Sequence, residues 1–348
     1  MTTTSTDPAT DGQGAAALLD RTRTTVDPRL RAAVQSLPGS MRRVAMYHFG
    51  WEHADGTPAA GQAGKAIRPA LVLAGARALG GEPRLAVRAA AAVELVHNFT
   101  LLHDDIIDDD RTRRHRPTAW TVFGMPDALL AGDAMAALAL RLLADDPHPA
   151  SAAAASRVSS CVIELCAGQQ ADVAFERRPP REVALDEVVA MATAKTGALL
   201  GCSCALGALY AGAGEEEVAA MDAFGREAGL AFQLIDDLIG IWGDPERTGK
   251  PAGADLVAHK KSLPVVMALG SGTRAGAELA ELYERPLAGA ELARAVRAVE
   301  EAGGRDWAQA QAADRMARAV QQLSRAVPDL AAAGDLLSLA EYVTRRTR

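Results

Sequence analysis

Aromatic residues are scarce in this chain: Phe, Tyr and Trp make up 4% of its 348 residues, while alanine recurs in nearly every segment. A sheet held by aromatic cross-strand pairs is therefore not expected, and closely packed helices are. No alternating strand pattern longer than five residues stands out, nor does a short internal repeat. Cysteine is rare too. Cys161, Cys166, Cys202 and Cys204 all fall in apolar stretches, without His or Cys partners at zinc-finger spacing. Buried thiols in a reducing compartment are the expectation. A basic excess is missing, since the formal net charge is −7, so no global field draws the chain to nucleic acid or an anionic membrane. Also lacking are a charge-free apolar run of membrane-spanning length and a basic-then-apolar leader. These absences together predict a cytoplasmic protein with no membrane span.

What is present is helical. Hydrophobic residues reach 49%, enough for a sizeable core. Residues 1–24 are rich in Thr, Gly and Asp and read as a disordered segment. Residues 25–348 read as one helical domain, its first helix starting after Asp27-Pro28 with proline at the first helical position. Further helices are expected over 41–53, from Gly64 to Gly80, from Leu85 to Asp108, and from Pro126 to Leu143. Others follow over 151–176, 183–210 and 214–242. The segment Asp244–Lys261 is a Gly/Pro-punctuated loop, long for a helix connection, which favours a lid armed by Lys250, Lys260 and Lys261. Its Gly249-Lys250 is no nucleotide loop, because Pro251 follows and no strand precedes. From Ser262 onward, shorter alanine-rich helices complete the scaffold.

The chemistry concentrates between Glu94 and Trp120. Five aspartates occur within seven residues, Asp104 to Asp110, at the end of an apolar helical run. Asp104 and Asp108 share a helix face, with Asp105 about 100° away. Stacked like charges destabilise a helix unless a cation neutralises them, and Mg²⁺ is commonly held by one or two carboxylates plus substrate phosphates. Arg113 and Arg114 add planar forks suited to phosphate oxygens. A solvated acidic helix end with a basic loop remains the plainer alternative. Lys65 and Arg68 begin another helix, where a bound anion would offset their unfavourable position against the dipole. His97, in a mostly apolar helix, is either a satisfied core histidine or faces a polar cavity. Gln169 and Asp172 share a face. Lys195, in mid-core beside Thr196, needs an anionic partner or a route to water. A second doublet, Asp236-Asp237 with Gln233, lies about 130 residues beyond the first on another apolar helix. Jointly the two acidic faces fit one cavity holding Mg²⁺ against a shared diphosphate.

Taken in order, Gly64-Lys65-x-x-Arg68-Pro69, His97, Asp104-Asp105-x-x-Asp108, Arg113-Arg114, Pro117-Thr118, Gly168-Gln169-x-x-Asp172, Lys195-Thr196, Phe232-Gln233-x-x-Asp236-Asp237, Gly249-Lys250 and Asp255 to Lys260 resemble the trans-isoprenyl diphosphate synthase family. The resemblance covers residues 60–265. It implies an all-α, single-domain isoprenoid synthase bundle of about ten or more helices around a deep central cavity, working as a homodimer. The activity implied is head-to-tail addition of isopentenyl diphosphate to an allylic diphosphate. By the same resemblance Asp104, Asp108 and Asp236 would bind Mg²⁺, three ions in all with Mn²⁺ as a substitute, and Asp105 and Asp237 would support the metal waters. Arg113, Lys195, Lys250 and Lys260 would grip the allylic diphosphate. Lys65, Arg68, His97 and Arg114 would hold isopentenyl diphosphate, with Gln169 and Phe232 also lining the substrate site. Thr196 and Gln233 would line the reacting carbons.

Two departures stand out. Gly240 replaces the third aspartate of the second motif, so replacing Gly240 by Asp is expected to lower the Mg²⁺ requirement. His115 stands where a glycine commonly follows the arginines, and is expected to pack in its loop without a catalytic role. Product length is expected to be set by Phe99, five residues before Asp104, with the small Thr100 beside it. That pattern resembles C20 geranylgeranyl diphosphate synthases, with C15 as runner-up and longer chains open because Val96 and Ala92 below are small. A terpene cyclase would share the fold but lack the isopentenyl diphosphate grip. An idle subunit or cargo protein of the same fold would keep the motifs without turnover.

Overall fold

The computed structural model describes residues 8–59, 64–244 and 252–344, and almost all of its regular structure is helical. Its contacts divide the chain into two compact units. The first comprises residues up to 162, 202–221 and 326–339, and the second 163–201, 222–325 and 340 onward. Five helices contribute residues to both units, so neither is a contiguous stretch of sequence.

In the first unit, α1 (Pro8–Gln35), α2 (Gly39–His48), α3 (Ile67–Ala78), α4 (Val87–Ile107), α5 (Ala119–Phe123) and α6 (Met125–Ala144) pack on one another. The α1 helix corrects two expectations at once. Residues 8–24 are helical rather than disordered, and Pro28 lies inside the helix rather than at its start. Ala15, Leu18, Leu19, Thr22, Val26, Leu30, Ala33 and Val34 are buried at spacings of three and four. Composition hides that stripe and periodicity reveals it. Burying five large aliphatic side chains at about 1.5–3 kcal/mol each outweighs the roughly 3 kcal/mol of a proline inside a helix.

The α4 helix is the centre of this unit. From Ala89 to Val96 every side chain is buried, so it is apolar nearly all round, as core helices are. The stretches 83–107 and 185–210 are each long and apolar enough to cross a membrane by composition, but most of each is covered by protein. A two-stranded antiparallel hairpin, β1 (Thr112–Arg113) and β2 (Arg116–Pro117), follows α4.

In the second unit, α7 (Ser151–Glu176) supplies its C-terminal half. The expected continuous helix over 183–210 is three pieces: α8 (Leu185–Ala192), a π-helical turn (Thr193–Gly197) and α9 (Ala198–Tyr210). Most of α10 (Glu215–Trp242) belongs here, and Leu230, Leu234, Ile235 and Leu238 on it pack against Phe175, Val183 and Val188. Ile241 and Leu256 join a second cluster with Leu279, Leu282 and Val299. Cys161, Cys202 and Cys204 are buried as expected, but Cys166 is exposed, on the outward face of α7.

Candidate active site

In the first unit the acidic run sits at the carboxyl end of α4. Asp108 caps the helix, its N–H donating to the Asp104 carbonyl (2.9 Å), and Asp109 turns the chain with φ +52°. Both the helix dipole and mutual repulsion disfavour carboxylates there, so the arrangement calls for a cation. Asp104 is partly exposed and Asp108 exposed, accessible to a metal ion. Asp105 is 1% exposed and accepts from Arg113 Nε at 2.6 Å. Burial raises its pKa, with Arg113 acting against the rise. Its second oxygen, Oδ2, is buried with no protein partner.

Arg114 and His115 are the two central residues of the hairpin turn, with φ of +52° and +61°. Two successive positive φ angles belong to a type I′ turn, where side chains other than Asn, Asp or Gly are strained. A glycine at 115 would relieve that strain, so His115 departs from the resembled pattern at a conformational cost. His115 is exposed at the turn tip rather than packed in the loop.

The tight turn places Arg114 against Gly64, where a Cβ would stand 2.7 Å from its Nη2. The Gly64-Lys65 segment and Arg114 are thereby brought together, with Arg68 and His97 close behind. Burial pushes the His97 pKa well down, and the charges of Arg68 and Arg114 push it further. A neutral imidazole results, able to donate one hydrogen bond to phosphate without adding charge. Arg68 keeps Nε buried without a partner. Beneath lies Glu94, 4% exposed, whose pKa is raised by burial and opposed by Arg68 and Arg114. Asn98 Nδ2 donates to Glu94 Oε1 at 3.1 Å. His48, driven down to about 3 by burial and by nearby arginines, completes the cluster. A cavity of about 160 Å³ is lined by His48, Asp105, Arg113, Arg114 and Arg116 among others.

In the second unit the π turn presents Lys195 and Thr196. A π turn carries one residue more than an α turn and widens the helix locally, which lets both side chains leave the packed face. Gly168 makes room for it, since a Cβ there would lie 2.6 Å from the Lys195 nitrogen. Lys195 Nζ donates to Asp172 Oδ2 at 2.6 Å, supplying the anionic partner the sequence demanded. Both amide atoms of Gln169, one turn before Asp172, are buried and unpartnered within the protein. Thr196 Oγ1 donates to Gln233 Oε1 (2.7 Å), and Gln233 Nε2 donates to Asp237 Oδ1 (2.8 Å). The Leu263 N–H donates to Asp237 Oδ2 at 2.9 Å. Asp237 is 2% exposed, and burial pushes its pKa up to about 6.

Lys260 Nζ lies 4.0 Å from Asp237 and 3.9 Å from Asp255. Burial works against its charge, but Asp237, Asp255, Asp172 and Asp236 prevail and raise its pKa. Lys261 does not arm the loop as expected: it is 8% exposed and donates to the Glu176 carbonyl. Lys250 lies outside the described residues. A Cβ at Gly240 would overlap the Asp255 carboxylate, so adding an aspartate there requires Asp255 to shift.

The two doublets follow one plan. In each, the first aspartate (Asp104, Asp236) reaches solvent, and the second (Asp105, Asp237) is buried beside a cation, Arg113 or Lys260. Among the described residues no three His, Cys, Asp or Glu side chains converge as a ready-made metal cage. Open carboxylates backed by buried ones fit Mg²⁺, which keeps waters and takes its remaining ligands from substrate phosphate. Glu94, Asn98 and His48 escaped the sequence reading because nothing in their spacing distinguishes them from core positions. Phe99 is 6% exposed, with its ring edge-on to His103 at 5.4 Å, and Thr100 Oγ1 is tied to the His97 carbonyl at 2.8 Å.

An all-α fold carrying two such doublets, each backed by a cation, is suited to an enzyme acting on diphosphates. Comparison with known proteins gives the family. The polyprenyl synthetase model matches residues 57–299. The chain is 47% identical over 333 residues to a geranylgeranyl diphosphate synthase of Mycobacterium tuberculosis, covering 95% of this chain and 93% of that protein. It is 46% identical over 327 residues to a (2E,6E)-farnesyl diphosphate synthase of Mycobacterium bovis, with 92% and 90% covered. A crystal structure of a polyprenyl synthetase from Streptomyces coelicolor A3(2) superposes with a TM-score of 0.89 at 42% identity, covering 94% of this chain and 98% of that one. The chain belongs to the polyprenyl synthetase family and is a Mg²⁺-dependent prenyltransferase that joins isoprenyl diphosphates.

Proposed function

We propose that the chain adds isopentenyl diphosphate head-to-tail to dimethylallyl, geranyl and farnesyl diphosphates and releases mainly the C20 product, geranylgeranyl diphosphate. The observation that carries this reading is the repeated doublet, an open aspartate beside a buried, cation-backed one. Asp104, Asp108 and Asp236 would hold the Mg²⁺ ions, three in all, and Asp105 and Asp237 would support them from behind. When bound, the ions supply the positive charge that lets the allylic C1–O bond ionise. Arg113, Lys195, Lys250 and Lys260 stabilise the diphosphate as its charge develops. Lys65, Arg68, neutral His97 and Arg114 orient isopentenyl diphosphate, with Gln169 and Phe232 completing the substrate walls. Its double bond attacks C1, and the departing diphosphate takes the proton lost from the new chain. Thr196, donating to Gln233, and Gln233, donating in turn to Asp237, line the reacting carbons. No protein nucleophile is needed.

The C20 assignment rests on Phe99 as the stop beside small Thr100, with Val96 next below. The resemblance to a farnesyl diphosphate synthase keeps C15 as the second reading. A single catalytic domain acting in the cytoplasm as a homodimer, without nucleic acid as a partner and without a membrane span, completes the proposal. Exposed Val122, Met125, Leu129 and Leu130 on α5 and α6 offer an apolar face for the second copy. The test is incubation of the purified chain with isopentenyl diphosphate and each allylic substrate, followed by chromatography of the dephosphorylated products. C20 as the main product supports the reading; C15 as the end product replaces it, and no turnover leaves the idle-subunit alternative.

A further inference from the structure

The α1 helix lies outside residues 60–265, the span of the family resemblance, yet it reaches the isopentenyl diphosphate site proposed above. Arg23, with its side chain 19% exposed, donates from Nε to the Gly64 carbonyl at 3.2 Å. Its own helix orients the guanidinium. Asp20, one turn before, accepts from Nη1 at 2.5 Å, and Asp27, one turn after, is a half-buried carboxylate. Burial raises the Asp27 pKa, with Arg31 and Arg23 acting against the rise. Between Arg23, Asp27, Gly64 and Glu94 there remains a cavity of about 10 Å³, room for a single water at most. The helix and the segment 64–66 therefore meet almost without a gap.

Gly64 is caught between two arginines. Arg23 holds its carbonyl, and on its other side a Cβ would stand 2.7 Å from Arg114 Nη2. Gly64 turns with φ +90°, and Ala66, which caps the start of α3, has φ +53°. An alanine in that region is strained, so contacts from outside must keep the segment on this path. The Gly64 carbonyl and the Lys65 N–H belong to one planar trans peptide. With the carbonyl fixed toward α1, the N–H faces the opposite way, and the direction in which Lys65 and then Arg68 leave is set.

We infer that Arg23 is a positioning residue for isopentenyl diphosphate. It acts through the Gly64 carbonyl rather than on the diphosphate itself. By holding that one peptide plane it aims Lys65 and Arg68 and backs Gly64 against Arg114, so α1 serves binding as well as packing. The inference rests on the diphosphate-holding role proposed for Lys65, Arg68, His97 and Arg114.

Arg23→Met, Arg23→Lys, Arg21→Ala and Arg68→Ala are compared with wild type by kcat, by the KM of each substrate and by melting temperature. Methionine keeps an unbranched apolar stem, and so the packing of α1, while removing the donor. Arg23→Met should raise the isopentenyl diphosphate KM about tenfold, the order of one charge-assisted hydrogen bond, and leave kcat and the geranyl diphosphate KM within about twofold. Arg23→Lys, which restores a cationic donor, should return the isopentenyl diphosphate KM to within about threefold of wild type. Arg21, exposed on the same helix, carries the same charge, and Arg21→Ala should leave both KM values unchanged. A general loosening of the fold would raise both KM values together. That parallel rise, or a wild-type isopentenyl diphosphate KM in Arg23→Met, overturns the inference. An equal rise in Arg21→Ala also overturns it, because charge alone would then be the cause. Arg68→Ala is the control. If its isopentenyl diphosphate KM stays at the wild-type value, the proposed isopentenyl site fails and takes this inference with it. If it rises while that of Arg23→Met does not, only the role of Arg23 is wrong.

Discussion

Replacing Phe99 by alanine tests both a packing energy and a product length. Phe99 is 6% exposed, and its ring meets His103 edge-on at 5.4 Å and 87°. Truncating a core phenylalanine costs about 3–5 kcal/mol, of which roughly 0.5–1.5 kcal/mol belongs to an aromatic pair of this geometry. Alanine returns about 0.5 kcal/mol as the better helix former, so a loss of about 3 kcal/mol is expected. At roughly 2 °C per kcal/mol for a chain of this size, melting should fall by about 6 °C. Val96 and Ala92 are both fully buried, so the vacated ring volume is bounded by small side chains. If Phe99 stops the growing tail, the variant should make C25 and longer products. A long, non-ionising allylic analogue should then raise its melting temperature more than that of wild type, because ligand carbon replaces the lost ring. Chromatography and calorimetry read the two effects separately. A 6 °C loss with an unchanged product ladder would refute the chain-length role and leave Phe99 a packing residue only.

Glu94→Gln removes the buried carboxylate facing Arg68 and Arg114 and should cost about 2 kcal/mol, below the ~3–5 kcal/mol of a fully buried pair because Arg114 is exposed. Inorganic diphosphate should restore more melting temperature to this variant than to wild type; equal shifts would show that Glu94 does not balance the isopentenyl site. His48 has its folded pKa lowered to about 3, so the unfolded chain binds the more protons below its ordinary pKa of 6.5. Its contribution to stability is complete above pH 6.5 and is lost progressively as pH falls toward 3. His48→Gln should flatten that part of the stability profile, and an unchanged profile would count against it. Asp104→Ala and Asp236→Ala should each lower turnover at least a hundredfold, and chelation should abolish wild-type turnover; a chelated enzyme working at full rate would remove Mg²⁺ from the mechanism.

The site was legible where chemistry conflicts with its setting. Acid doublets inside apolar helices and a lysine in mid-core are costly unless they serve something, which makes Asp104, Asp236 and Lys195 candidates, and only their combination points to one site. Helices with uniform patterns, such as Ser151–Glu176, were read to the residue. Where a tertiary contact decides, the sequence carried little. The helix over residues 8–24 is set by burial of its stripe against the first unit, not by its Thr- and Gly-rich composition. Glu94 and His48 look like ordinary core positions until Arg68 and Arg114 fold over them. The meeting of Gly240 with Asp255 joins positions fifteen residues apart in sequence through a loop whose path no local pattern specifies.

The π turn at Thr193–Gly197 also fixes the phase of its own helix. Its surplus residue rotates everything after it by about 100° relative to an uninterrupted α-helix. On one flank Val188 and Ala192 point into the core. On the other, Gly197 meets the Arg226 backbone and Gly201 the Arg226 side chain, contacts that leave no room for a Cβ at Gly201. Deleting one residue here would mend the hydrogen-bond ladder and turn one flank away from its neighbours. The apparent defect is thus a timing mark, and the polar pair it presents cannot be lost by the simplest repair without misaligning glycines that pack beyond it.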